Sequence, residues 1–143
     1  MTNTGSFMKK HEVIDLSGDV GLRIQGMNLE ELFANAACGM SELITDTARI
    51  PETEQKDILL ENDTTEGLLV LWLNELIFLF DTYDFTGKNF DVILRGTTLT
   101  AKISGGYFSP AVNEKRLLLK AATYHKLSLK KNSLWEATII FDI

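Results

Sequence analysis

The chain has 143 residues, 45% of them hydrophobic and 24% charged. That is ordinary globular composition, and the length predicts one domain. Lys and Arg total 14 against 20 Asp and Glu, a formal charge of −6, which argues against broad, sequence-blind nucleic-acid binding because neutralising phosphates takes many cations. One cysteine, Cys38, excludes an internal disulfide and a cysteine-based zinc cage, and two histidines, His11 and His125, exclude an all-histidine metal site.

Residues 1–8 are polar and small, without the apolar core of a signal peptide. They are expected to form a flexible N-terminal segment ahead of a single domain over 9–143. The most apolar stretch, Leu68 to Phe80, is interrupted by Asn74 and Glu75 and is shorter than the roughly 20 residues a bilayer needs. No membrane partner and a cytoplasmic location are expected.

In chain order, His11 to Leu16 reads as a first strand. Val20 to Gln25 alternates Val20, Leu22 and Ile24 against Gly21, Arg23 and Gln25, the period of a half-buried strand. Asp15 to Asp19 between them is turn-prone. Asn28 with Glu31 offers a helix cap, and apolar residues recur at helical spacing from Leu29 to Ile44, so the helix should end near Asp46. Gln55 to Glu61 reads as a strand. Asp63 with Glu66 offers a second cap, for a helix over about 65–82 that is apolar on nearly all sides. Such a helix is buried on most faces or touches another protein.

Beyond it, Asn89–Leu94, Thr98–Ile103, Arg116–Tyr124, Leu127–Lys130 and Leu134–Ile143 read as strands, punctuated by Gly96, Gly105-Gly106, Pro110 and Lys131-Asn132. Two helices and about eight strands, not strictly alternating, predict an α+β fold with the helices packed on antiparallel meanders.

Four groups of residues could carry chemistry. Asp15 and Asp19 flank a turn with Ser17 and Gly18, and carboxylates so placed can converge on a hard cation. The structural alternative is a turn aspartate bonding its own backbone. Asp142 shares a strand face with Ile140, opposite Ile139, Phe141 and Ile143, and is either a second acidic ligand or a solvated strand end. Lys120 is expected on one face with Ala122 and Tyr124, its ammonium paired to a carboxylate or simply at the surface. His125 falls at a turn. Asn74 and Glu75 read as structural, anchoring a neighbouring loop. Phosphate-binding glycine loops, HExxH and a nucleophile elbow are absent from the sequence.

These motifs together resemble the archease family, whose members activate a GTP-dependent tRNA-splicing RNA ligase. The family's first motif, Asp-His-Thr-Ala-Asp-(Ile/Val)-Gly, is similar to Asp15-Leu16-Ser17-Gly18-Asp19-Val20-Gly21. Leu29 to Ala37 and Leu71 to Asp81 resemble its two helices. Lys120-Ala121-Ala122-Thr123-Tyr124-His125 resembles its Lys-Ala-Val-Thr-Tyr-His strand, and Trp135 to Ile143 its closing strand. The match runs from His11 to Ile143.

The resemblance implies an activator, not a stand-alone enzyme, that promotes guanylylation and repeated turnover of the ligase in tRNA splicing or RNA repair. It implies functional roles for Asp19, Lys120 and Asp142. It also implies a divalent metal site (Ca, Mg or Mn) drawing on Asp15, Asp19, Asp142 and the terminal carboxylate of Ile143. The partner it implies is the ligase, with no direct stable nucleic-acid binding by the chain itself. Leu16 stands where the family motif has histidine. Two other readings compete. One is a chaperone or specificity modulator of RNA-modifying enzymes such as a tRNA methyltransferase, which would expose Leu69, Trp72 and Phe80. The other is a small metal-dependent phosphatase built on Asp15, Asp19 and Asp142.

Overall fold

A computed structural model describes residues 10–143 except Ser17, so the expected flexible segment, 1–8, lies outside the described residues. Strands β1 (His11–Leu16) and β2 (Asp19–Gly26) form a hairpin. Gly18 takes φ +81° in its turn, a left-handed conformation that suits glycine. Helix α1 (Leu29–Ile44) follows. Its cap is as expected, the Asn28 side chain accepting from the Glu31 N–H at 2.8 Å, with the Glu31 carboxylate accepting from the Met27 N–H at 3.0 Å. A 3-10 turn (Thr47–Arg49) leads to β3 (Glu54–Glu61).

Helix α2 (Thr65–Tyr83) is capped by Thr64 rather than Asp63. The Asn62 side chain accepts from the Thr64 N–H at 3.3 Å, and this turn brings the Thr64 hydroxyl to accept from the Gly67 N–H at 2.9 Å. Strands β4 (Phe85–Arg95), β5 (Thr98–Tyr107), β6 (Ala121–Lys131) and β7 (Trp135–Asp142) complete the chain.

The described residues thus contain seven strands, not eight, in two antiparallel sheets ordered β1-β2-β7-β6 and β3-β5-β4. The fold is α+β as expected. The two strands predicted over 116–124 and 127–130 are one, β6, and it begins later. Residues 116 and 117 instead give their N–H groups to the carbonyls of Ile44 and Leu43, both at 3.0 Å, satisfying the open C-terminal end of α1. Gly105 and Gly106 lie inside β5, not in a turn. A Cβ at Gly105 would strike the Thr86 carbonyl oxygen and one at Gly106 that of Pro51, so glycine permits close backbone approach there.

Helix α1 touches β2 of one sheet and β4 of the other, and α2 touches β6 and β4. The core lies where the helices meet the two sheets. This explains the all-round apolar α2: Leu68, Leu69, Trp72, Leu73, Leu76 and Ile77 are all buried. Trp72 donates its indole N–H to the Phe33 carbonyl at 3.0 Å and meets the Phe90 ring edge-on at 6.2 Å. From β2 and β7, Leu22, Ile24, Ile139 and Phe141 join the same core. Among the described residues no helix is long and apolar enough to cross a membrane.

At the start of the domain the His11 ring packs on Gly39, where a Cβ would lie 2.8 Å from its Cγ. Burial draws its imidazole below the ordinary 6.5; Glu42, 4.0 Å away, opposes this and Lys10 adds to it. The unfolded chain therefore binds this proton more readily. His11 contributes stability above about pH 6.5 that is lost as pH falls through its lowered folded value. Urea midpoints followed from about pH 8 down to about pH 5 should fall less steeply in His11→Asn than in the parent; equal slopes would exclude the effect.

Candidate functional site

The site is built where three strand ends meet at one end of the four-stranded sheet. Antiparallel register pairs Asp19 of β2 with Asp142 of β7. Direct cross-strand partners share a face, with Cβ atoms about 4.5–5.5 Å apart. Two carboxylates therefore stand side by side on the sheet face opposite Val20, Leu22, Ile139 and Phe141, the face expected for Asp142 and Ile140. Behind them Gly21 pairs with Ile140. A Cβ at Gly21 would come within 2.8 Å of Ile140 Cδ1, so Ile140 lies over bare backbone and is 2% exposed although it faces away from the helices.

Lys120 joins the pair from the third strand end. Its backbone N–H donates to the Asp142 carbonyl at 2.8 Å, and Ala121 pairs with Asp142. The Lys120 side chain is exposed. It makes no ion pair within 4.0 Å among the described residues, so the expected lysine–carboxylate contact does not form. Lys120 also precedes β6 instead of lying within it. Of the residues expected on its face, Ala122 is buried and Tyr124 is exposed.

Asp15 is not part of the pair. It lies opposite Val20 and so faces the other side of the sheet from Asp19. Ile143 follows Asp142 and is exposed. Among the described residues no three His, Cys, Asp or Glu side chains converge in a metal-binding group. The donor chemistry at Asp19 and Asp142, oxygen-only and without a counter-cation, still suits a hard divalent ion, but two side chains fill only part of its usual six to eight positions.

Asn74 holds this end together. Its Nδ2 donates to the Ala122 carbonyl at 3.1 Å and its Oδ1 accepts from the Ala122 N–H at 2.8 Å. The side-chain amide thus pairs with both backbone groups of Ala122 from within α2, the structural role its place in an apolar helix suggested. Asn74→Ala leaves both groups unpaired in a half-buried place and should destabilise the protein by about 2 kcal/mol. Hydrogen exchange should accelerate at Ala122 and Lys120 first; unchanged protection there would refute the anchoring role.

The structure so described is a small two-helix, two-sheet α+β protein with its carboxylates paired at one sheet end. The Archease protein family (MTH1598/TM1083) matches it over residues 11–143. The chain is 36% identical to the protein archease of Saccharolobus islandicus (strain Y.N.15.51 / Yellowstone #2) over 139 residues, 95% of this chain and 100% of that one. The solution structure of Methanobacterium thermoautotrophicum protein 1598 is similar, with TM-score 0.82 and 31% identity, across 95% of this chain and 100% of that one. A crystal structure from Thermotoga maritima, described as an archease and possible chaperone (TM1083), shares the fold with TM-score 0.66 and 21% identity, across 92% of this chain and 96% of that one. The chain belongs to the archease family.

Proposed function

We propose that this protein activates a GTP-dependent RNA-splicing ligase, promoting its guanylylation and repeated turnover, through the sheet end that carries Asp19, Asp142 and Lys120. The observation that supports it most is the direct pairing of Asp19, half-buried, with Asp142, exposed, at strand ends with the Lys120 backbone bonded beside them. In this reading the sheet end enters the ligase's nucleotide cleft. Asp19 and Asp142 would hold a divalent cation, which supplies charge neutralisation for GTP phosphates when bound. Lys120, free of any carboxylate within 4.0 Å among the described residues, offers its ammonium to a phosphate or to a ligase carboxylate.

The chaperone alternative needed an exposed apolar helix. Leu69 and Trp72 are fully buried and Phe80 is partly so, which weighs against a client-binding patch built on these three; the exposed apolar residues of α2 are Phe78 and Tyr83. A phosphatase built on Asp15, Asp19 and Asp142 loses support because Asp15 faces away from the other two.

The test is multiple-turnover RNA ligation by the cognate ligase with GTP and Mn²⁺, run alone, with this protein, and with Asp19→Ala, Lys120→Ala and Asp142→Ala. Stimulation that all three variants lose supports both function and site. Stimulation that survives all three keeps the function and removes the site. No stimulation by the parent protein overturns the reading.

A further inference from the structure

Charge is unevenly distributed along this acidic chain. Between Glu114 and Glu136 there is no Asp or Glu, yet Lys115, Arg116, Lys120, Lys126, Lys130 and Lys131 fall there, six of the 14 cations. Four of them, Lys120 to Lys131, lie on or beside β6, an edge strand. All four are exposed and make no ion pair within 4.0 Å among the described residues. Glu136, opposite Lys130, accepts instead from Asn132 Nδ2 at 2.6 Å. Lys131 lies over the Trp135 ring, 5.9 Å from its centroid.

The same strand carries a large bulge. Thr123 pairs with Ile140 and Ser128 with Thr138, so the four residues Tyr124 to Leu127 stand opposite Ile139 alone. Lys126 adopts φ 52°, left-handed backbone that a lysine rarely takes. The bulge presents Tyr124, 62% exposed, beside His125 and Lys126.

Lysines and bulges also keep edge strands from pairing with other chains. That role requires neither one sign of charge nor an exposed aromatic. Every other edge carries acids: Glu12 and Asp15 on β1, Glu54, Asp57 and Glu61 around Lys56 on β3, and Asp91 between Lys88 and Arg95 on β4. Among the described residues the β6 edge combines several exposed cations without an ion pair and no acid on the strand with a projecting ring, the pairing that single-stranded nucleic-acid sites use for phosphates and bases.

We propose that the β6 edge is a contact surface for single-stranded RNA, with Tyr124 stacking on a base and Lys126, Lys130 and Lys131 contacting phosphates. The net charge of −6 keeps binding weak and hides the surface from a whole-chain charge count. The contact stands apart from the ligase reading, since its test contains no ligase.

The test is fluorescence anisotropy of a labelled single-stranded RNA of roughly ten nucleotides, titrated with the full chain at low salt. Binding with Kd on the order of 0.1 mM or tighter is expected, with a slope of log K against log salt of about −2 from three lysines. Lys126→Glu/Lys130→Glu/Lys131→Glu should weaken binding at least about ten-fold and flatten the slope towards zero. Tyr124→Ala should weaken it roughly ten-fold with the slope unchanged. Circular dichroism of these surface variants separates loss of binding from loss of fold. No binding at low salt, or binding indifferent to both variants, overturns the proposal. Competition by polyglutamate as strong as by unlabelled RNA overturns it in favour of an acidic protein surface.

Discussion

Asp19→Asn and Asp142→Asn should each abolish ligase stimulation while leaving the metal-free protein at least as stable as its parent. The two outcomes share a cause. The carboxylates are direct cross-strand partners, and neither has an ion-pair partner within 4.0 Å among the described residues. Like charges directly opposite in a ladder repel, and relieving them contributes about 0.5 kcal/mol, or roughly 1–2 °C in Tm for a domain of this size. A site selected for stability would not keep them so. A divalent cation reverses the sign: Mn²⁺ or Ca²⁺ should raise the parent's Tm and leave both variants unmoved, because binding stabilises only the fold that binds. Melting curves with and without cation, beside the ligation assay, separate the possibilities. A variant that loses Tm without cation would mark the pair as structural. Equal cation response in parent and variants would remove the metal from the site, whatever the ligation assay shows.

Trp72→Ala should destabilise the protein by about 3–5 kcal/mol, lowering Tm by roughly 10–20 °C. Trp72 has no exposed surface, lies in α2 where the helices meet both sheets, bonds to Phe33 of α1 and packs against Phe90 of β4. Alanine leaves a void touching three elements that cannot all collapse into it. Against a typical total of about 5–15 kcal/mol this is a large share. Trp72→Phe keeps most of the volume and loses the indole N–H bond, so its deficit should be about 1–2 kcal/mol. Urea unfolding followed by far-UV circular dichroism measures both. A Trp72→Ala variant within about 1 kcal/mol of the parent would mean the helix is held elsewhere.

Both helices and β2 were legible because their periods are strong and local. A capping asparagine, a 3.6-residue apolar recurrence and a strict alternation each act over one turn or one strand. The errors came where a segment's role is set by what lies beside it. Residues 116 and 117 look like strand but cap the end of α1. Gly105-Gly106 reads as a turn but lets Thr86 and Pro51 approach β5. That Lys126, Lys130 and Lys131 line one edge depends on strand order, which places β6 at the end of its sheet.

By itself the sequence determined the α+β class, the order of nearly every element and, through five motifs in order, the archease family. It also named Asp19, Lys120 and Asp142, residues more than 100 positions apart at the extremes. Only the tertiary structure decided that Asp19 and Asp142 are direct partners, that Asp15 faces the other way, and that Lys120 stands free of both. Local propensity acts between near neighbours in the chain. Which carboxylates meet depends on register between β1, β2 and β7, and a shift of one residue would send every side chain to the opposite face.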